Sequence, residues 1–108
     1  MKAFDQNIIL LSGMYQDPYF PDFLVDKVRT ALEKLIAYLE PQTHSLHEIQ
    51  NCLDAITDAI NDLQGDFEEN NSEIETAARD DIAVSVEKIL DFYGIDIDLE
   101  TALRNRDW

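Results

Sequence analysis

The chain has 108 residues, of which 45% are hydrophobic, three are glycine and three are proline, so it is long enough for one folded domain and too apolar to be disordered. Twenty-three acidic residues against eight basic ones give a net charge of −15, which disfavours binding to nucleic acids and to anionic membrane surfaces. This charge either attracts a basic protein surface or a divalent cation, or only keeps the protein soluble.

The cysteine content and the N-terminal residues indicate where the protein resides. A single cysteine cannot form an internal disulfide bond. Residues 1–11 contain only four consecutive apolar residues, Ile8 to Leu11, which is too short for a signal peptide or a membrane span. The sequence therefore predicts a cytoplasmic protein with a reduced cysteine and no membrane partner.

The N-terminal part combines a short helical pattern with an aromatic segment. Apolar residues at helical spacing predict a short helix over residues 4–12. The segment 14–23 follows, in which two prolines interrupt regular structure and Tyr15, Tyr19 and Phe20 lie close together. These aromatic side chains either fold onto the core as a lid or form an exposed interface, through which two copies of the chain would associate.

Two long amphipathic helices are predicted next. The first covers residues 22–39 and ends before Pro41. The second covers residues 45–69, because Ser45 and Glu48 have the spacing of a capping box and apolar residues then recur at spacings of three and four. The apolar stripe consists of Leu46, Ile49, Leu53, Ile56, Ile60, Leu63 and Phe67. The short connection between the two helices predicts that they are antiparallel neighbours.

A third long helix is predicted over residues 73–93. Asn71 and its neighbour tolerate the left-handed backbone of a turn before this helix. Ser72 and Glu75 have the spacing of a second capping box. Gly94 lies where a helix of this length needs a left-handed C-cap.

The C-terminal residues predict one more short element. A last helix begins at a cap on Asp96 or Asp98 and extends to about Arg104. Trp108 carries a large apolar area, so we expect it to fold back onto the helices, with Arg104 and Arg106 facing acidic side chains. The functional alternative is a C-terminal tag that a partner recognises.

These helical patterns together define the predicted fold. The recurring spacings of three and four residues and the two capping boxes all indicate helices, and nothing indicates a strand. The sequence therefore predicts an all-α fold, an antiparallel helical bundle of three long helices plus short terminal helices. It forms a single all-helical domain over residues 1–108.

Acidic residues are concentrated from the middle of the second long helix to the start of the third. They are Asp54, Asp58, Asp62, Asp66, Glu68, Glu69, Glu73, Glu75, Asp80 and Asp81, with Arg79 as the only base among them. Like charges four residues apart repel each other by about 0.2–0.5 kcal/mol per pair. The row is therefore a solvated face, a docking surface for a basic partner, or a metal site. The candidate partner-binding residues are Asp54, Asp58, Asp62, Asp66, Glu69, Glu73 and Asp80, together with Tyr15, Tyr19 and Phe20.

The metal interpretation lacks a complete ligand pattern. All-helical nucleotide pyrophosphohydrolases hold Mg²⁺ with a Glu-x-x-Glu segment and a later Glu-x-x-Asp, whereas residues 66–69 give only Asp-x-x-Glu and no Glu-x-x-Asp follows. His44, His47 and Glu48 lie close together at a helix start, but no further ligand completes a site. We therefore predict no metal, no cofactor and no catalytic residue, and we expect Cys52 to be a small buried side chain.

Three stretches of the chain resemble one protein family. They are Tyr19 to Val28, Phe67 to Asp80 and the closing Arg106-Asp107-Trp108. In these stretches the chain is similar to a family of small acidic bacterial proteins that is catalogued as a domain of unknown function, DUF5713. The resemblance implies a bacterial cytoplasmic protein but no activity. The middle stretch is either a structural junction, in which Arg79 pairs with Glu75, or the recognition surface.

The function predicted from these features is protein binding without catalysis. We expect the acidic corner between the second and third long helices to bind a basic partner, as bacterial immunity proteins and charge-mimicking inhibitors do, by an analogy of size and charge alone. One alternative is a metal-dependent hydrolase that uses carboxylates of residues 66–80. Another is a structural homodimer formed through the aromatic segment 14–23.

Overall fold

The computed structural model describes residues 1–108, and its regular structure is entirely α-helical. The helices are α1 (Ser12–Gln16), α2 (Asp22–Leu39), α3 (Leu46–Asn61), α4 (Gln64–Glu69), α5 (Thr76–Phe92) and α6 (Leu99–Ala102). The all-α class predicted from the sequence is therefore confirmed. The radius of gyration is 13.4 Å, close to the ~13 Å typical of a globular chain of this length. No helix is both long and apolar enough to cross a lipid bilayer.

One hydrophobic core joins all six helices. Helix α2 packs against α3, α1 packs against α5, and α6 contacts both α3 and α5. Phe67 of the short helix α4 is fully buried in this core, and the aromatic ring of Trp108 closes it from the C-terminus. The expectation that Trp108 folds back onto the helices is therefore confirmed.

Helix α3 begins as predicted but ends earlier. The Ser45 hydroxyl accepts a hydrogen bond from the Glu48 amide at 3.1 Å, and the Ser45 amide donates to the Glu48 carboxylate at 2.9 Å, which completes the capping box. The predicted continuation to residue 69 is wrong, because a turn at residues 62–63 separates α3 from α4. Gly65, the weakest helix former of this stretch, follows that turn. Leu46 is also a correction to the predicted stripe, since it occupies the first helical position and is 55% exposed.

The second capping box does not form, and the third long helix starts at Thr76 instead of residue 73. Asn71 adopts the left-handed conformation with φ 59°, as the sequence predicted. The Ser72 amide then donates to the Phe67 carbonyl at 2.9 Å, a bond that terminates α4 in a Schellman motif. Ser72 therefore belongs to the end of α4, and it is too early in the chain to cap α5.

Helix α5 ends as its sequence predicts. Gly94 has φ 65°, a left-handed conformation that costs a residue with a Cβ atom about 1–2 kcal/mol. The Gly94 amide donates to the Asp91 carbonyl at 3.1 Å, and the Ile95 amide donates to the Leu90 carbonyl at 2.9 Å. These two bonds form a Schellman motif that satisfies carbonyls at the helix end.

The predicted helix over residues 4–12 is wrong. Residues 1–10 form an irregular segment, which we call the N-terminal strap, that ties the end of α2 to the end of α5. The Lys2 amide donates to the Glu40 carbonyl at 2.9 Å, and the Tyr93 hydroxyl donates to the Lys2 carbonyl at 3.0 Å. The Phe4 ring packs edge-on against Phe92 with centroids 5.1 Å apart. These long-range contacts replace the local hydrogen bonds that a helix would have made.

Candidate functional site

Asp54 is an acidic residue whose charge is compensated within the protein. Its carboxylate accepts two hydrogen bonds from the Arg104 guanidinium, at 3.0 Å to Nε and 2.6 Å to Nη2, and one from the Gln50 amide at 3.0 Å. The Arg104 hydrogen bonds lower the pKa of Asp54 below its ordinary value. Arg104 therefore faces an acidic helix as predicted, whereas Arg106 lies 3.9 Å from Glu100 of its own segment. Because its charge is already paired with Arg104, Asp54 is unsuited to bind a basic group of another protein.

Two further candidates have weaker internal partners. The Lys27 ammonium lies 3.4 Å from the Asp66 carboxylate, and both side chains remain about half exposed. Asp58 accepts a hydrogen bond of 3.3 Å from the side chain of Asn105. A partner would have to compete with the Lys27 charge at Asp66, so Asp66 contributes less free charge than the sequence alone indicated, whereas the neutral Asn105 amide leaves the charge of Asp58 in place.

Asp81 caps α1 and does not belong to an acidic surface. Its carboxylate accepts a hydrogen bond of 2.8 Å from the Met14 amide in the first turn of α1. Gly13 leaves room for this approach, because a Cβ atom there would lie 3.4 Å from the Asp81 carboxyl group. One turn further along α5, the buried Ser85 hydroxyl accepts from the Leu11 amide at 2.9 Å. Carboxylate and hydroxyl together fix the start of α1.

The remaining carboxylates between residues 62 and 80 are exposed and have no basic partner. We define them as the acidic corner, which consists of Asp62, Glu68, Glu69, Glu73, Glu75 and Asp80. None of them forms an ion pair, and the pair expected between Arg79 and Glu75 does not form. Arg79 instead donates a 3.4 Å hydrogen bond to the Thr76 hydroxyl. The acidic corner is therefore a segment of the chain whose exposed carboxylates form no ion pair.

The aromatic segment is partly a lid and partly exposed. Phe20 is buried against Phe67, with ring centroids 6.5 Å apart, so its side chain does not belong to a surface that a partner could contact. Tyr15 is half-buried, and its hydroxyl donates to the Asp26 carboxylate at 2.5 Å. Tyr19 packs edge-on against Phe20 at 5.1 Å but remains 42% exposed.

Tyr19 adjoins the acidic corner. Partial desolvation raises the pKa of Tyr19, and the charges of Glu73 and Glu75 raise it further. Phe23, which is 53% exposed in the first turn of α2, is a second exposed aromatic residue of this segment that the sequence analysis did not select. The sequence could have indicated the exposure of Phe23, because Phe23 directly precedes Leu24, and Leu24 occupies the buried stripe of α2.

No arrangement of side chains points to a nucleophile or a metal centre. No group of three or more His, Cys, Asp and Glu side chains is placed to hold a metal ion. His44 stacks on Tyr38 with centroids 3.9 Å apart, and its Nε2 atom lies 3.0 Å from the Tyr38 carbonyl oxygen. Cys52 is half-buried, and this burial raises the pKa of its thiol, which keeps the sulfur in its unreactive protonated form.

Comparison with known proteins identifies one family. Neither the curated proteins nor the solved structures include a significant match to this chain. The model of a family of unknown function (DUF5713) matches residues 4–108. The resemblance inferred from the three stretches of sequence is therefore confirmed. Because the match leaves out only the first three residues, the chain belongs to the DUF5713 family.

Proposed function

We propose that this protein is a non-catalytic interaction module whose acidic corner binds a basic protein partner. One observation carries the proposal: six exposed carboxylates within 19 consecutive residues, 62–80, have no ion pair, while Asp54 and Asp66 nearby do. Unpaired like charges in one segment repel each other. A basic partner would remove this repulsion on binding, so the acidic corner has an energetic reason to associate.

Tyr19 adds a second type of contact to the proposed surface. Its ring is exposed beside Glu73 and Glu75, and a guanidinium or ammonium group that approaches these carboxylates also meets an aromatic face. Tyrosine and arginine are both common among the residues that dominate binding energy at protein interfaces. The partner surface that fits best is therefore rich in arginine.

The arrangement of the long helices that carry the acidic corner can be inferred from the lengths of the segments that join them. We infer that α2 and α3 run antiparallel, because only residues 40–45 join them and the two helices pack together. With α5 as the third long helix, this arrangement is an antiparallel bundle with short helices at its ends. The turns at 62–63 and 70–75 would then present the acidic corner at one end of the bundle.

The test is a pair of charge-neutralising variants that differ only in position. The corner variant carries Asp62→Asn, Glu69→Gln and Glu73→Gln, and the control variant carries Glu87→Gln, Asp91→Asn and Asp107→Asn. Each variant removes three exposed carboxylates and so raises the net charge equally. Immobilised parent and variant proteins are incubated with cell lysate at 0.05 M NaCl, and the retained proteins are identified by mass spectrometry.

We expect the parent and the control variant to retain the same basic protein and the corner variant to lose it. Since the Debye length falls from ~10 Å at 0.1 M salt to ~3 Å at 1 M, a wash at 1 M NaCl should release the partner. If the two variants retain equal amounts, binding does not depend on the acidic corner and the proposal is wrong. Equal loss from both variants would attribute the binding to net charge alone.

A further inference from the structure

The C-terminal tail, which we define as residues 104–108, contacts the acidic side of α3. It follows α6 and contains no helix. The Arg104 guanidinium donates two hydrogen bonds to the Asp54 carboxylate, at 3.0 Å and 2.6 Å, and the Asn105 side chain donates to Asp58 at 3.3 Å. Asp54 and Asp58 are about one helical turn apart, so the tail follows the direction of α3 from one carboxylate to the next.

Asn61 extends these contacts to the edge of the acidic corner. Its side-chain nitrogen donates to the Asn105 carbonyl at 2.8 Å, and its side-chain oxygen accepts from the Asp107 amide at 2.9 Å. The next residue is Asp62, which belongs to the acidic corner. Since Asp62 comes one helical turn after Asp58, the two carboxylates are neighbours. The carboxylates that the tail contacts therefore continue the acidic corner along α3.

Trp108 attaches the end of the tail to the core, but its burial is opposed by one unpaired donor. The residue is 8% exposed, so most of its apolar area is removed from water. Its indole N–H is buried without an acceptor, whereas the same group would donate to water if the tail were released. The polar contacts between the tail and α3 lie at the surface, where each contributes little. The docked tail is therefore less stable than its buried area indicates.

We propose that the C-terminal tail is an autoinhibitory segment that competes with the basic partner for the acidic side of α3, a role that rests on the proposed function of the acidic corner. Within the protein, one guanidinium is already bound to Asp54, and an arginine-rich partner offers the same group to the adjacent carboxylates. Release of the tail frees Asp54 and Asp58 and extends the acidic corner by two carboxylates. The apparent affinity for the partner then increases with the fraction of molecules whose tail is released.

The experiment uses the only tryptophan of the chain, Trp108, as the reporter. The full chain is titrated at 0.05 M NaCl with a hexa-arginine peptide blocked at both ends, and the affinity is measured by isothermal titration calorimetry. Acrylamide quenching of Trp108 fluorescence at each peptide concentration measures the release of the tail. We expect the quenching to increase and to saturate with peptide binding, because a released indole ring is accessible to acrylamide.

Two tail variants that remove the same charge test the role of Arg104. Arg104→Gln removes the bond to Asp54, whereas the Arg106 side chain lies 3.9 Å from Glu100 and has no hydrogen bond to α3. Compared with Arg106→Gln, Arg104→Gln should show stronger quenching without peptide and should bind the peptide about two- to fivefold more tightly. Both arginines are exposed, so neither substitution is expected to unfold the chain.

The outcomes distinguish the autoinhibition from the proposed function of the acidic corner. The corner variant should bind the peptide more weakly than the control variant, which has the same net charge. Equal affinity of these two variants would contradict the proposed function and, with it, the autoinhibition. If the corner variant binds more weakly but the peptide leaves the quenching of the parent unchanged, the acidic corner binds without displacing the tail and only the autoinhibition is wrong. Equal peptide affinities of Arg104→Gln and Arg106→Gln would also refute the autoinhibition alone.

Discussion

Three residues with left-handed backbone show how conformational cost is distributed along this chain. Gly94 adopts this conformation without a Cβ clash, and Asn71 is among the residues that tolerate it. Leu11, with φ 59°, is not such a residue, and its conformation costs about 1–2 kcal/mol. Full burial of its side chain and the bond from its amide to Ser85 offset this cost.

Alanine substitutions of Gly94 and Gly65 test directly whether residue 94 has a left-handed backbone. Gly94→Ala should destabilise the fold by about 1 kcal/mol, because the left-handed backbone disfavours any Cβ atom. Gly65→Ala should stabilise it by about 0.5–1 kcal/mol, since Gly65 is in helix α4 without a positive φ. A Cβ atom at either position meets no neighbour within 4 Å, so packing does not distinguish the two variants.

Urea unfolding of the two glycine variants measures both effects. The midpoints should move in opposite directions with unchanged slopes. A Gly94→Ala variant whose midpoint equals or exceeds that of the parent would show that the backbone conformation at residue 94 is not left-handed in solution.

The bond between Asp54 and Arg104 predicts a specific dependence of stability on pH. The pKa of Asp54 is lowered in the folded state from an ordinary value of 3.8. A lowered pKa means that the stabilisation is complete above the unfolded-state pKa and is lost as the pH falls through the folded-state pKa. Asp54→Asn should therefore lower the free energy of unfolding by about 1 kcal/mol at pH 7. The difference in stability between parent and variant should narrow as the pH falls below about 4.

Chemical unfolding of parent and Asp54→Asn at a series of pH values measures this dependence. Asp62→Asn is the matched control, because Asp62 has no ion pair. A constant difference between parent and Asp54→Asn at every pH would show that the loss comes from packing and not from the charge.

Helix α1 has only five residues and depends on α5 for its position. Ser85→Ala should destabilise the protein by about 1–3 kcal/mol, because the buried Leu11 amide loses its acceptor. Thr57→Val is the control, since Thr57 is equally buried but donates only to a carbonyl of its own helix. That substitution should cost less than 1 kcal/mol. Hydrogen exchange at the amides of Leu11 and Met14 should accelerate in the Ser85 variant alone.

The elements that the sequence predicted are those determined by neighbouring residues. The capping box of Ser45 and Glu48, the left-handed Asn71 and the Gly94 C-cap each depend on a few adjacent residues, and all three are confirmed. The helix predicted over residues 4–12 failed because Phe4 packs against Phe92, which no local pattern can indicate. Tertiary contacts there override the helical spacing of the apolar residues.

The candidate site was predictable to the same limited degree. Its charge and its location near residues 62–80 follow directly from the sequence. The internal partners of Asp54, Asp66 and Asp81 do not, because they lie 39 to 67 positions away in the chain. Sequence alone therefore did not identify three carboxylates that are engaged within the protein, and it left open whether Phe20 belongs to a core lid or to an interface.

The net charge of −15 predicts how the whole molecule responds to salt. Mutual repulsion of the carboxylates opposes the folded state, and salt screens it. We expect the thermal midpoint in 0.5 M NaCl to exceed that in 0.02 M NaCl by about 5 °C, equivalent to about 1 kcal/mol. A second measurement uses MgCl₂ at the same ionic strength, since a further rise of the thermal midpoint would indicate a bound divalent cation. A lower midpoint in NaCl would show that the ion pairs outweigh the repulsion.

The N-terminal strap also affects the order in which the protein acquires its structure during synthesis. Lys2 contacts Phe92 and Tyr93, so the residues that leave the ribosome early bind to residues that are made some 90 positions later. Leu11 similarly meets Ser85 only after 74 further residues have been added. The N-terminal strap therefore lacks its docking site on α5 until most of the chain has been translated, and only its contact with Glu40 at the end of α2 can form earlier. Its aromatic and aliphatic side chains remain exposed to chaperones and proteases throughout that interval.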